Sequence, residues 1–279
     1  MNAISRSFLL LALVIFVTAL VPIFGCPTGS QGQSDLTSRV ETLEGQVAAL
    51  NAKLTHVRVV QGDINGLAGP HFIIEGCNVH VRDGDGPPSD DVNVLNGLGN
   101  LIVGYNELPP TLGFGRNGTH NVVIGSEHQY TSSGGLVSGR ENNLTGLASS
   151  VTGGSRNTAG SNFSSISGGS LNHTSGAHAS VGGGTSNIAF GSFSSISGGR
   201  ANGANGNYSS VTGGFGNTLF GESSSASGGT ANVVTGENAS ISGGSSNLAE
   251  GVNSSVSGGN SRTVSNIDDW AAGALFQSN

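Results

Sequence analysis

Hydroxyl and amide side chains supply most of the polar chemistry of this chain, because charged side chains are scarce. Charged residues make up 10% of its 279 residues, and the formal net charge is −7. From Ser149 to Ser265 the charged side chains are limited to Arg156, Arg200, Glu222, Glu237, Glu250 and Arg262. Acid–base catalysis needs positioned titratable groups, and nucleic-acid binding needs a basic surface. The composition therefore predicts a protein that is not an enzyme, uses no cofactor and binds no nucleic acid.

Two groups of residues have metal-binding character without forming a complete ligand set. An acidic segment contains Asp83, Asp85, Asp90 and Asp91. It lacks the closing glutamate of a calcium loop, so we interpret it as a solvated loop. His120 and His128 lie on neighbouring predicted β segments, without a cysteine or carboxylate at ligand spacing. We therefore expect no metal site.

Pairs of hydroxyl side chains recur at fifteen-residue spacing and are the candidate binding surface. In each pair two serine or threonine residues flank one apolar residue, so both hydroxyls face the same side of a short strand. Stacked strands would align the pairs in a ladder. The pairs are Ser150 and Thr152, Ser165 and Ser167, Ser195 and Ser197, Ser210 and Thr212, Ser225 and Ser227, Ser240 and Ser242, and Ser255 and Ser257.

The segment that contains these pairs repeats without an insertion, which defines the architecture. Copies of the motif begin at Ser149, Ser164, Ala179, Ser194, Ser209, Ser224, Ala239 and Ser254. A chain that wraps once per repeat and stacks each turn on the last must keep such a register. The spacing predicts an all-β parallel β-solenoid of 15-residue turns over residues 134–263.

Each repeat predicts two short strands and two glycine corners. The apolar residue between the hydroxyls is predicted to point inward, as are an asparagine and a small residue further along the repeat. In the first full repeat these are Val151, Asn157 and Ala159, with a corner at Gly153–Gly154. A second corner is predicted at Gly176 and its equivalents, so one turn is a flattened coil.

These repeats resemble the heads of YadA-like trimeric autotransporter adhesins, as in the segments SSISGG from Ser194 and SNLAEG from Ser246. The resemblance covers roughly Gly134 to Thr263. It implies a left-handed parallel β-roll, three chains packed along one axis, and adhesion at a cell surface. In this chain the helical segment precedes the repeats rather than following them. We therefore expect the head module alone, not a self-exporting autotransporter.

The N-terminal segment predicts export and lipid anchoring. Arg6 precedes an apolar run from Phe8 to Phe24, which predicts a signal peptide over residues 1–25. The following Cys26 ends a segment that resembles a bacterial lipobox, so we expect Cys26 to carry lipid and residues 26–34 to link the anchor. This predicts a lipoprotein at the outer membrane or cell surface. An ordinary cleaved signal or an uncleaved anchor is the alternative, with Cys26 a free thiol or paired with Cys77.

Residues 35–57 carry a heptad pattern that predicts a coiled-coil stem. Apolar residues alternate at spacings of four and three: Leu36, Val40, Leu43, Val47, Leu50, Leu54 and Val57. A 3.5-residue period held over three heptads is typical of parallel coiled coils. We therefore expect a homo-oligomer. The composition leaves two and three strands open, and the resemblance of the head favours a trimer.

The remaining segments are predicted to flank the regular coil. Residues 58–133 are predicted to be irregular β structure with strands at His71–Ile74 and Asn78–Val81. Looser turns are predicted at Asn100–Gly104 and Asn121–Gly125, twenty-one residues apart, with a loop near Pro109–Pro110. Residues 264–279, with the apolar side chains of Trp270, Leu275 and Phe276, are predicted to cap the last turn.

Three functions follow from this sequence, in decreasing order of support. The first is multivalent adhesion to an extracellular matrix, glycan or cell-surface ligand. The second is binding to ice or another crystal surface, because alternating hydroxyls on a 15-residue solenoid resemble some insect antifreeze proteins. The third is a polysaccharide-active β-helix enzyme, which would need carboxylate or basic clusters on the coil. Phe163, Phe193 and Tyr208 share one repeat position, which fits either a packing stack or a ligand platform.

Overall fold

The computed structural model describes residues 30–84, 95–108 and 115–273. The chain divides into two compact units between Val79 and His80. The signal peptide, Cys26, Asp85, Asp90, Asp91, Pro109, Pro110, Leu275 and Phe276 lie outside the described residues. Predictions that involve them are therefore untested.

The described part of the first unit, from residue 30 onward, contains one helix and a two-stranded hairpin. Helix α1 spans Ser30–Lys53, and strands β1 (Val57–Val60) and β2 (His71–Ile74) pair antiparallel. A helix was predicted over 35–57, and α1 covers most of that segment. The predicted strand at Asn78–Val81 is wrong, because this segment leaves the hairpin without forming a ladder with any described strand.

The second unit is a parallel β-solenoid, which confirms the predicted fold class. From β4 (Val122–Ser126) onward, its strands alternate between two sheets. Sheet one contains β3 (Leu101–Val103), β4 (Val122–Ser126), β6 (Leu136–Arg140), β8 (Ser150–Val151), β10 (Ser165–Ile166), β12 (Ser180–Val181), β14 (Ser195–Ile196), β16 (Ser210–Val211), β18 (Ser225–Ala226), β20 (Ser240–Ile241), β22 (Ser255–Val256) and β24 (Trp270–Ala271). Sheet two contains β5 (Gln129–Tyr130), β7 (Asn143–Leu144), β9 (Thr158–Ala159), β11 (His173–Thr174), β13 (Ile188–Ala189), β15 (Gly203–Ala204), β17 (Thr218–Leu219), β19 (Val233–Val234), β21 (Leu248–Ala249) and β23 (Thr263–Val264).

The number of residues in one turn of the coil decreases at first and then stays constant. Leu101 pairs with Val122 across 21 residues, as predicted for the looser turns. Val122 then pairs with Leu136, and Leu136 with Ser150, so two turns of 14 residues follow. From Ser150 onward every pairing joins residues 15 apart, over about ten turns of the coil in all.

From β4 to β23, each strand contributes one buried side chain to the core of the coil. On sheet one these are the predicted apolar residues, and each is at most 1% exposed. They are Val151, Ile166, Val181, Ile196, Val211, Ala226, Ile241 and Val256. On sheet two the buried residue is Tyr130 in β5 and is small or aliphatic in the later strands, as at Ala159, Thr174 and Leu219. The inward assignment made from the repeat pattern is confirmed.

The two corners use glycine for different physical reasons. At the paired glycines the second one is left-handed, with φ of +78° at Gly154. At the other corner the glycine itself is not left-handed. A Cβ on Gly176 would instead collide with the carbonyl oxygen of Gly191 on the next turn. The left-handed residues near this corner are not glycines, as at Phe163 and Phe193, each with φ of +58°.

Candidate functional site: the serine face

The outer surface of sheet one carries two parallel rows of small polar side chains, which we call the serine face. The first row is Ser150, Ser165, Ser180, Ser195, Ser210, Ser225, Ser240 and Ser255, which pair with one another from strand to strand. The second row is Thr152, Ser167, Gly182, Ser197, Thr212, Ser227, Ser242 and Ser257. Each strand supplies one rung to these rows. Strand geometry places neighbouring rungs about 4.8 Å apart and the two rows roughly 6.6 Å apart.

The predicted ladder residues all lie on this face, and the structure adds Ser180 to them. First-row side chains are half-buried or exposed, and every second-row side chain is exposed. Neighbouring hydroxyls also contact each other. Ser195 Oγ donates to Ser210 Oγ at 3.2 Å, and Ser240 Oγ donates to Ser255 Oγ at the same distance. The face is therefore partly ordered by its own hydrogen bonds, while each hydroxyl keeps capacity toward a ligand.

The ends of the serine face are marked by larger residues. Leu136 pairs with Ser150 at one end, and Trp270 pairs with Ser255 at the other. The indole of Trp270 is 67% exposed, and its Nε1 donates to Ser257 Oγ at 2.8 Å. Strands β23 and β24 thus continue the coil into the segment that was predicted as a cap.

A ladder of buried asparagines holds the rungs of the coil at fixed spacing. From Asn157 to Asn247, the backbone N–H of each asparagine donates to the Oδ1 of the asparagine one turn earlier, at 2.8–3.1 Å. Each Nδ2 donates to two backbone carbonyls, one on its own turn and one on the next, and from Asn157 to Asn247 both belong to glycines. The ladder consists of Asn142, Asn157, Asn172, Asn187, Asn202, Asn217, Asn232 and Asn247. The side chains replace strand pairing at the corner, where the backbone alone leaves donors without partners.

His128 begins this ladder in place of an asparagine. Its ring is fully buried, with Nδ1 placed 3.2 Å from the N–H of Asn142 and Nε2 placed 3.0 Å from the carbonyl oxygen of Ile124. Because Nδ1 must accept and Nε2 must donate, the ring is the neutral Nε2–H tautomer. Burial lowers the pKa of His128, which favours the same neutral form.

The histidine and cysteine candidates from the sequence are not residues of the serine face. His128 is hydrogen-bonded to the backbone of Ile124 and Asn142. The described part of the chain contains no group of three or more His, Cys, Asp or Glu residues that could hold a metal ion. Cys77 is an exposed free thiol in the first unit. None of the described helices is long and apolar enough to cross a membrane.

The aromatic residues at one repeat position form a continuous stack, and His178 belongs to it. Phe163 and His178 have ring centroids 4.9 Å apart, His178 and Phe193 4.7 Å, and Phe193 and Tyr208 5.2 Å. The rings lie within 11° of parallel, so they cover each other's faces and leave their edges exposed. This geometry fits a packing stack rather than a platform that offers ring faces to a ligand. His178 was not predicted for this stack, because only phenylalanine and tyrosine were compared at this repeat position.

The fold and its surface define a repeat protein of the parallel β-solenoid class, with a regular hydroxyl face on one sheet. The chain matches no protein-family model and no curated protein.

Proposed function

We propose that this chain is a non-enzymatic, oligomeric cell-surface protein that binds an extracellular ligand through many copies of one weak contact. The serine face supports this proposal most directly. Its first row repeats one residue type over eight consecutive rungs, without a charged or bulky side chain among them. A catalytic site needs a few unlike groups at one place, whereas this surface repeats the same group along a line.

The proposed mechanism is avidity. One serine rung offers a single hydroxyl donor and acceptor, and a hydrogen bond to such a group contributes about 1 kcal/mol at most once water is displaced. Rungs on a rigid coil engage a polymeric ligand together, so the second and later contacts form at high effective concentration. A polymer with regularly spaced hydroxyl or amide groups suits such a row. We therefore propose a glycan or an extracellular-matrix protein as the ligand class.

Oligomerisation and anchoring complete the proposal. The heptad side chains of α1 are exposed in the single chain, from 37% at Val40 to 62% at Leu36. An apolar stripe of this kind is stabilised when another copy covers it, and the heptad spacing fits a parallel coiled coil. We propose a trimeric stem, joined to the outer membrane or cell surface through lipid on Cys26. Three heads would multiply the number of rungs that reach one surface.

Binding by full-length protein tests the role of the serine face. Ser195→Arg with Ser210→Arg places two bulky charges on adjacent rungs of this face. Thr230→Arg with Ser245→Arg makes the same change on adjacent rungs of a corner, where these residues pair with each other. On immobilised polysaccharides and matrix proteins we expect at least a tenfold loss of binding for the first variant alone. Equal binding by both variants would refute the assignment of the serine face.

The two-row grid of hydroxyls also supports a second candidate, binding to ice or another crystal surface. The grid is regular in both directions, as a lattice ligand requires. Within the second row, however, Gly182 interrupts the hydroxyls and methyl groups occur only at Thr152 and Thr212. Thermal hysteresis measured on the full chain separates the candidates. Hysteresis that the Ser195→Arg and Ser210→Arg variant abolishes would favour the crystal surface.

A further inference from the structure

Trp270 is the one tryptophan of the chain, and it lies at the end of the serine face. Strand β24 pairs Trp270 with Ser255 and Ala271 with Val256. Ala271 packs against the core, so Trp270 projects outward on the same side as the first row. The last described rung of this row therefore carries an indole where the preceding eight rungs carry serine hydroxyls.

The indole leans back over the serine face and does not cover the end of the coil. Its Nε1 donates to Ser257 Oγ at 2.8 Å, and Ser257 belongs to the second row of the preceding rung. The ring therefore runs diagonally between the two rows. Trp270 is 67% exposed, so at least one face of the ring is open to solvent. A side chain that capped the core would instead be buried against it.

An open aromatic face beside fixed hydroxyl groups fits a sugar ring. In the stack that includes Phe163 each ring covers the face of the next, whereas the indole of Trp270 offers its face to a ligand. Ser255 and Ser257 place hydroxyls next to this face. The C–H faces of a sugar are apolar and its edge carries hydroxyls, so a sugar matches both parts of the surface.

The charges around the indole favour a neutral sugar. Asp268 and Asp269 directly precede Trp270 in the chain. Arg262, the nearest cation in the sequence, packs against Gly259 at the corner that carries the paired glycines. Neither row of the serine face contains a basic side chain. A sulfated or uronic-acid polymer would meet carboxylates at this end of the face, whereas a neutral polysaccharide meets no such repulsion.

We propose that Trp270 forms an end subsite for a neutral polysaccharide that lies along the serine face. This inference rests on the proposed function and names the chemical class of its ligand. One sugar stacks its C–H face on the indole and bonds through its hydroxyls to Ser255 and Ser257. Ser257 Oγ accepts from the indole, so its O–H can donate to the sugar. Tryptophan is enriched among the residues that dominate binding energy, so this subsite adds one strong contact to a line of weak ones.

Tryptophan fluorescence of the full-length chain reports on this subsite directly, because Trp270 is its sole source. The free protein, in a detergent without a sugar headgroup, should emit as a solvated indole and be quenched by acrylamide. Cellohexaose and chitohexaose are the probes, since both are neutral and present flat C–H faces. We expect at least one probe to shift the emission to shorter wavelength and to lower the quenching at least twofold. Emission that neither probe changes, or that is already shielded in the free protein, would overturn the subsite.

Calorimetry on substituted full-length chains measures what the ring contributes to binding of the same hexasaccharides. Trp270→Ser continues the first row with its own residue type, and we expect it to bind at least tenfold more weakly. Trp270→Phe keeps a smaller ring and should lose less. Phe190→Ser is the matched control, because Phe190 is 62% exposed but follows β13 on the other sheet, and it should bind like the unchanged chain. The fluorescence result needs no substitution and decides the question if either Trp270 variant fails to fold.

The other outcomes separate the subsite from the proposed function. Hexasaccharide binding that Trp270→Ser leaves unchanged, but that Ser195→Arg with Ser210→Arg weakens, would overturn the subsite and support the serine face. Absence of binding to both hexasaccharides would overturn the neutral polysaccharide. The proposed function would then be decided by the binding of the serine-face variant to matrix proteins.

Discussion

Removing one rung of the asparagine ladder is the sharpest test of how this coil is held together. Asn202 lies in the middle of the ladder and is 1% exposed. Its Nδ2 donates to the carbonyl oxygens of Gly198 and Gly214, both at 3.1 Å, and its Oδ1 accepts from the N–H of Asn217 at 3.0 Å. Asn202→Ala removes these three hydrogen bonds and a fourth, longer one, which Asn217 Nδ2 donates to the same Oδ1 at 3.3 Å.

The expected loss of stability follows from these contacts. Each lost donation from Nδ2 costs about 1 kcal/mol. The N–H of Asn217 is buried and is left without its acceptor, which costs about 1–3 kcal/mol more. The carbonyl of Gly214 still accepts from the N–H of Arg200 and adds no further term. The sum is about 3–5 kcal/mol, and 4 kcal/mol corresponds to roughly a thousandfold change in a local opening constant.

Hydrogen exchange measures this change at the affected rung. We expect protection of the Asn217 amide to fall by roughly three orders of magnitude in Asn202→Ala. Asn205→Ala is the control, because Asn205 is only partly buried and outside the ladder. Asn202→Asp keeps the acceptor but loses both donations, and burial should raise the pKa of the new carboxyl. Its stability should therefore increase as the pH falls. Unchanged protection in Asn202→Ala would refute the ladder as the element that fixes the rungs.

Four further predictions concern the core, the corners, the ladder and the anchor. Ile196→Asp should unfold several turns because a buried unpaired charge costs several kcal/mol, whereas Ser195→Asp should leave the melting temperature nearly unchanged. Ala231→Gly should stabilise the coil by about 0.5–1 kcal/mol in chemical denaturation, because Ala231 is left-handed with φ of +53°. The lowered pKa of His128 means that the unfolded chain takes up a proton that the folded chain does not, so stability should fall as the pH drops below about 6.5. His128→Asn should remove that dependence, and a retained slope would contradict this origin. Cys26→Ser should release the protein from membranes on fractionation, and an unlipidated variant that still sediments with them would show that the apolar segment is the anchor.

The register and core of the coil were predictable because they depend on residue spacing alone. A 15-residue period with one apolar residue between two hydroxyls determines both the strand pairing and the inward side chain. The same reasoning placed the looser turns at Leu101 and Val122, where the pattern survives a longer spacing. It failed at Asn78–Val81, because a local strand pattern does not supply a partner strand.

The hydrogen bonds and the backbone strain were not predictable in the same way. The asparagines were expected to point inward, but their three-way bonding depends on the position of two neighbouring turns. His128 has no asparagine-like sequence signal, and its role follows only from its position one turn before Asn142. Left-handed angles at Phe163 and Tyr208 arise because the corner geometry outweighs the local preference of a bulky residue.

The solution mass of the full-length chain in detergent, measured by light scattering, tests the central proposal most directly. The proposal joins an exposed heptad stripe and a repeated hydroxyl face into one multivalent assembly. It predicts a protein mass three times that of a single chain. A protein mass equal to one chain would contradict the oligomeric stem and leave a self-contained β-solenoid as the binding unit.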